Sequence, residues 1–224
     1  MALLLAGFGI WESIQARAEE EAVEAWSWTV AGRVIVVDPG HGGVDPGAVS
    51  GSGTREKDLT LQVGQRLAHL LTEAGSNVIM TREKDEDLAD PGVKGLMERK
   101  RQDLARRVAC ANMNQADFFI SIHVNSFPAS RWWGAQTFYL RSSEEGKKLA
   151  EFIQEELVKV SVENHRKAKG EDYYILEKAQ VTAVNVEIGF MSNPVEEKMM
   201  KDPAYQDKLA RAIYSGVVRY CAQQ

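Results

Sequence analysis

Residues 34–49 read VIVVDPGHGGVDPGAV. Val34, Ile35, Val36 and Val37 form a β-branched run with no polar alternation, the pattern of a strand covered on both faces in a parallel sheet. Asp38-Pro39-Gly40 ends that run and opens a loop. Glycines at 40, 42 and 43 allow backbone conformations and close approaches that a Cβ resists, which suits a loop wrapped around a small bound object. His41 stands among them.

Outward from this stretch, short β-rich runs alternate with longer segments of helical period. NVIMTR (77–82), DFFISIH (117–123), GAQTFYL (134–140), DYYIL (172–176) and TAVNVEIGF (182–190) read as further strands. Apolar residues at Leu59, Val63, Leu67, Leu70 and Leu71, at Leu104, Val108 and Ala111, and at Leu149, Ile153, Leu157 and Val160 mark three amphipathic helices, and residues 205–221 close the chain with a fourth. This alternation predicts an α/β fold, a mostly parallel sheet of about six strands between layers of helices. Residues 32–224 form one domain long enough to bury a substantial core. Ahead of it, MALLLAGFGIW is an apolar run of about 10 residues, half of the roughly 20 needed to cross a bilayer. Residues 1–31 therefore read as a truncated signal- or anchor-like segment with an acidic, alanine-rich spacer, the alternative being a packed N-terminal helix. The formal net charge of −5 lacks the basic stripe of a nucleic-acid partner. Cys110 and Cys221 lie in helical patterns without a CxxC spacing and read as buried small hydrophobes.

Two strands end in histidine: RVIVVDPGH delivers His41 and DFFISIH delivers His123. Sites of open α/β sheets assemble beyond the carboxyl ends of the strands, so both imidazoles are expected at one edge. A phosphate loop is the competing reading, but the glycines lead into VDPGAVSGSGTREK instead of a helix, and neither GxGxxG nor GxxxxGK[ST] is present. Catalytic zinc sites use three His and Asp/Glu ligands and leave a position for water. Glu56, ahead of the first helix, is a candidate third ligand; its alternative is an acid favouring the helix dipole. Glu187 stands in an otherwise apolar strand and needs a cation, a partner or a proton. It reads as a general base beside a metal, or as the partner of an arginine such as Arg107.

Four further features carry two readings each. Asn125 orients a ligand or touches substrate, or serves a turn. Arg82 meets a substrate carboxylate or pairs with Asp85. The RWW of 131–133 stacks on sugars or covers an apolar edge, and the basic HRKAK of 165–169 receives an acidic peptide or is a solvated loop. His69 lies on the polar side of its helix and is excluded as a ligand.

VVDPGHGGVDPGA, EKDLTL, VIMTR, RVACAN, FFISIHVNS and VNVEIGFMSN occur in this order, and together they make residues 33–221 resemble the zinc-dependent N-acetylmuramoyl-L-alanine amidases, the Amidase_3 type of cell-wall hydrolase. Within that family, residues 81–107, GAQTFYL and HRKAKGEDYYILEKA look most like the germination-specific amidases of the spore cortex, which act in muramic δ-lactam formation. The resemblance implies a three-layer α/β/α sandwich. It implies one zinc ion held by His41, Glu56 and His123, with Glu187 as the catalytic glutamate, and hydrolysis of the amide between the lactyl group of N-acetylmuramic acid and L-alanine of the stem peptide. Peptidoglycan is then the macromolecular partner, an accessory or activating protein a second one, and the location is exported, on the cell-wall or cortex side of the membrane. Membrane association would run only through the N-terminal anchor-like segment. A zinc peptidase or amidohydrolase for another amide, and a noncatalytic cell-wall binding module, stay open as alternatives.

Overall fold

In the computed structural model, residue 18 and residues 21–224 are described. The apolar runs form six strands, β1 Val34–Pro39, β2 Asn77–Met80, β3 Phe118–Asn125, β4 Gln136–Tyr139, β5 Lys169–Gly170 and β6 Thr182–Phe190. They make one mixed sheet in the order β2-β1-β3-β6-β4-β5. The β1–β2, β1–β3, β3–β6 and β4–β5 pairs are parallel, and β4 runs antiparallel to β6. The helices are α1 Glu56–Glu73, α2 Leu96–Met113, α3 Glu144–Val160, α4 Tyr174–Lys178, α5 Pro194–Met200 and α6 Pro203–Cys221.

Helical periodicity sets which faces are buried. Leu59, Val63, Leu67 and Leu71 of α1, Leu149, Ile153 and Leu157 of α3, and Leu209, Ile213 and Val217 of α6 pack with Ile35, Ile120, Ile122, Val184 and Val186 into the larger core. On the opposite face α2 and α4 cover a smaller cluster of Val36, Phe119, Phe138, Ile175 and Leu176. The result is the expected three-layer sandwich, with unequal layers.

Three elements differ from the expectation. DYYIL is not a strand: Tyr174–Lys178 is a short helix, and the edge strand is Lys169–Gly170. Ile175 and Leu176 are both buried in the smaller core. Adjacent residues of a strand point to opposite faces, whereas one helical turn beside the sheet buries both. The helix α5 was not anticipated; Asn193 caps it through Val195 N and Glu196 N, and Pro194 occupies its first turn. Residues 21–26 are helical, Val23 packs on the larger core and Val30 is buried in it. The last part of the expected spacer thus packs on the domain, while the anchor-like run lies outside the described residues. No helix among the described residues is long and apolar enough to cross a membrane.

The floor of the sheet is polar at one place. Asp38, at the end of β1, is buried and accepts hydrogen bonds from Thr81 Oγ1 (2.6 Å), Ser121 Oγ (2.7 Å) and Arg107 Nη1 (2.7 Å). Burial opposes its charge, but Arg107 and the two hydroxyls outweigh it and hold the carboxyl below its ordinary pKa. Arg107 comes from α2 and also binds Asp103 at 2.7 Å. Removing one partner of such a pair leaves a buried charge uncompensated. Arg107→Met is expected to lower the unfolding free energy by about 3–5 kcal/mol. Urea titration at neutral pH checks this; a loss within 1 kcal/mol, about the worth of a surface ion pair, would contradict it.

Candidate metal centre

Parallel pairing of β1, β3 and β6 brings their carboxyl ends to one edge, with Pro39 beside Ile122 and His123 beside Glu187. His41 follows β1, His123 lies within β3, and Glu56 begins α1, whose start is folded back by backbone bonds from Glu56 N to Ala48 O (2.8 Å) and Lys57 N to Pro46 O (3.1 Å). Glu56 Oε1 stands 3.2 Å from His41 Nε2 and 3.0 Å from His123 Nδ1, and the three ligand atoms lie within 4.8 Å of one another. A tetrahedral zinc-type site with bonds of 2.0–2.1 Å has edges of about 3.3 Å, close to these spacings. The two rings meet nearly edge-on, with centroids 4.9 Å apart and planes at 79°. Two imidazoles and a carboxylate are also the donor set of catalytic zinc centres. The residues present therefore fit a single metal ion.

The surrounding chain is shaped to these donors. A Cβ on Gly40 would fall 2.3 Å from His123 Cε1, and one on Gly47 would fall 2.6 Å from Glu56 Oε2 and 2.7 Å from His41 Cδ2. Gly42 and Gly43, by contrast, pack against the backbone of residues 86 and 87, so their small size serves the meeting of two loops. His41 itself has φ +62°, a left-handed conformation unusual for a residue with a side chain. It is held there from both ends, by Arg107 Nη2 donating to its carbonyl at 2.6 Å and by its own Nδ1 donating to Asp45 Oδ2 at 2.8 Å. Glu56 is oriented by Val124 N on Oε1 (2.9 Å) and Ala48 N on Oε2 (2.8 Å).

Glu187 lies beside this cluster. Asn185 Nδ2 donates to its Oε1 at 3.0 Å, while Oε2 is shielded from solvent and has no hydrogen-bond partner among the described residues. Burial raises its pKa; the charge of Glu56 adds to the rise, and His123, Asn185 and His41 oppose it. The ion-pair alternative for Glu187 fails, because Arg107 is engaged by Asp38, Asp103 and the carbonyls of Pro39 and His41.

The remaining sequence candidates fall as follows. Arg82 is buried, its guanidinium donating to the carbonyls of Pro39, Gly40, Lys57 and Lys84 at 2.7–3.1 Å, so it braces the loop from inside. Asp85 pairs with Lys57 (2.7 Å) and not with Arg82. Asn125 is half-buried at the end of β3, its carbonyl bound by Met191 N at 2.7 Å. His69 is exposed beside Glu73, far from the cluster in the fold. HRKAK is no simple solvated loop, since Arg166 is fixed by Trp133 O (2.6 Å) and Gln136 Oε1 (2.9 Å). Cys110 and Cys221 are free thiols, half-buried and buried. Sequence reasoning missed Asp45 and gave no role to Asn185. Asp45 sits in a second Asp-Pro-Gly, where its turn chemistry masks a partner four residues from His41; Asn185 shares the strand face of Glu187 and could have been found from the period of two.

Burial would lower the His41 pKa, but hydrogen bonds and charge from Asp45 and Glu56 outweigh it and raise the value to about 9. The imidazolium thus stabilises the metal-free protein fully below its unfolded value near 6.5, and that contribution fades as pH rises through about 9. A ligating imidazole gives up its proton, so metal uptake at pH 7.5 is expected to release protons, measurable in a weakly buffered titration; uptake without release would contradict the assignment. Asp45→Asn is expected to weaken metal affinity by about 10–100-fold in competition with a chelator, as loss of a carboxylate behind a ligating histidine does. An unchanged affinity would show that Asp45 does not orient His41.

The profile of the Amidase_3 family, described as N-acetylmuramoyl-L-alanine amidase, matches residues 35–219. The germination-specific N-acetylmuramoyl-L-alanine amidase of Bacillus subtilis (strain 168) is 42% identical over 208 residues, which span 92% of this chain and 87% of that protein. Among solved structures, the CwlD amidase from Clostridioides difficile, in complex with the GerS lipoprotein, aligns with a TM-score of 0.84 and 38% identity over 86% of this chain and 100% of that chain. The N-acetylmuramoyl-L-alanine amidase from Clostridium difficile 630 aligns with a TM-score of 0.77 and 29% identity over 86% of this chain and 98% of that chain.

Proposed function

The chain belongs to the Amidase_3 family of N-acetylmuramoyl-L-alanine amidases, and from that premise we propose that it hydrolyses the amide between the lactyl group of N-acetylmuramic acid and L-alanine of the stem peptide in the peptidoglycan of the spore cortex. The observation that carries the chemistry is the convergence of His41, Glu56 and His123 beside the unpartnered Oε2 of Glu187. The role in germination rests on the B. subtilis relative, whose name is germination-specific. An exported location and an accessory lipoprotein as partner are supported by the amidase solved with a lipoprotein bound.

His41, Glu56 and His123 would hold one zinc ion. When bound, zinc supplies Lewis acidity, polarising the scissile carbonyl and lowering the pKa of water at the site to about 7. Glu187 moves the proton. With Oε1 held by Asn185, Oε2 is the atom free to take a proton from the attacking water. Its raised pKa lets the carboxyl keep that proton long enough to hand it to the departing nitrogen, so that the stem peptide leaves as a neutral amine. No side chain has to form a bond to the substrate. A noncatalytic wall-binding module has no use for a shielded carboxylate oxygen left without a hydrogen bond among the described residues beside such a site, which favours the enzyme.

Glu187→Gln is expected to retain stoichiometric zinc by elemental analysis and to lose about 10²–10⁴-fold in hydrolysis. His41→Ala is expected to lose both. Mass spectrometry of products from purified peptidoglycan identifies the bond: intact stem peptides beginning at L-alanine support the proposal. Cuts confined to the interior of the peptide would identify a peptidase instead.

A further inference from the structure

The loop between β3 and β4 carries exposed aromatic rings to the edge of the sheet that holds the metal centre. Phe127 and Trp132 are 49% and 40% exposed, with centroids 6.0 Å apart. Beneath them, Phe190 lies 6.1 Å from Phe127. The Arg166 guanidinium sits 4.5 Å from the Phe190 ring and 5.8 Å from Trp132, and that of Arg131 is 5.4 Å from Trp132. Large apolar rings left in water at a rigid edge call for an occupant.

The rings are fixed in place. Phe127 N donates to Ser192 Oγ (3.2 Å), Asn193 Nδ2 to Trp132 O (3.1 Å) and Gly134 N to Glu196 Oε1 (3.0 Å), so the loop is tied to the corner between β6 and α5 at three points. Arg166 is fixed through Trp133 O and Gln136 Oε1, and its Nη2 makes no hydrogen bond among the described residues. Gln136 in turn is the cross-strand neighbour of Glu187. Phe127 follows His123 by four residues, which limits their separation along the chain to about 14 Å. A surface pre-organised in this way loses little entropy when it binds.

We infer that Phe127 and Trp132, with Arg131 and Arg166, form a subsite for a sugar ring of the glycan strand adjoining the muramic residue that is cleaved. The inference rests on the amidase reading, because a glycan continues past the scissile bond only in that substrate. A pyranose offers a flat C–H face to an aromatic ring and a rim of hydroxyl and acetamido groups to donors, and the patch has both: apolar rings and guanidinium N–H groups at their margin. Arg166 Nε and Nη1 are already taken by Trp133 O and Gln136 Oε1, so the patch offers more ring face than free guanidinium N–H, and an amphipathic sugar ring suits it better than the acidic stem peptide does.

The test compares two substrates in wild type and in the Phe127→Ala/Trp132→Ala double variant, with thermal melting to confirm folding. One substrate is a peptidoglycan tetrasaccharide bearing stem peptides; the other is N-acetylmuramoyl-L-alanyl-D-glutamate, which has a single sugar. KM for the tetrasaccharide is expected to rise about tenfold with kcat unchanged, and neither constant should change for the single-sugar substrate. Equal losses on both substrates, or no loss on either, would overturn the inference. Calorimetric titration of the full wild-type chain with peptide-free glycan oligosaccharides tests the subsite apart from hydrolysis: binding that the double variant loses supports it. Should wild type cleave neither substrate, the amidase reading falls and this titration alone decides the subsite. Absence of glycan binding, or a variant defective only in capture of a protein, would assign the patch elsewhere.

Discussion

Two buried guanidinium groups grip three consecutive carbonyls at the end of β1. Arg82 holds those of Pro39 and Gly40, and Arg107 holds those of Pro39 and His41. A chain leaving a parallel strand would otherwise carry these acceptors into a dry interior, where unpaired polar groups cost several kcal/mol. The arginines solve that problem and fix a direction at the same time. With its carbonyl clamped, His41 is kept in a left-handed backbone conformation that places Nε2 toward Glu56. The donors of the candidate metal centre are thus positioned from beneath, by charge, and not only by the loop that carries them. Asp38 completes the arrangement by answering Arg107 and joining the ends of β1, β2 and β3 through Thr81 and Ser121.

The unequal helical layers explain why the site is open. Long helices α1, α3 and α6 seal one face of the sheet, whereas the other face has α2 over β1 and β3 and only the short α4 near β6. His123 and Glu187 share this second face, where the cover is incomplete. The incomplete cover leaves Glu187 partly exposed as a residue, while its Oε2 is shielded and burial raises its pKa.

Much of this was legible in the sequence, for identifiable reasons. His41, His123 and Glu187 stand at or near strand ends, so predicting the strands and their parallel order placed them at one edge. Glu56 was legible as an acid at a helix start. Arg107 was legible as the partner of a buried acid, but not which one: tertiary packing gives it Asp38 and Asp103 where the sequence suggested Glu187. Arg82 deceived in the opposite direction: a charged residue ending an edge-ward strand reads as a surface group, yet backbone carbonyls from three segments surround it. Local pattern also failed at Tyr174–Lys178, where adjacent apolar residues fit a strand and a helical turn equally and the neighbouring core decided. Asp45 was hidden because an aspartate before Pro-Gly already has an ordinary reason to be there.

The reversal of β4 has a consequence for how such a protein can diversify. Because β4 runs against β6, the chain goes from the last turn of β3 to the first residue of β4 without leaving the edge of the sheet where the donors stand. The connection begins three residues after His123 and ends at Gln136, opposite Glu187, but contributes no residue to the candidate metal ligands. It is a replaceable cassette inserted between two fixed posts. A connecting loop tolerates changes of length and composition better than the strands that flank it, so this edge can be reshaped without displacing the donors.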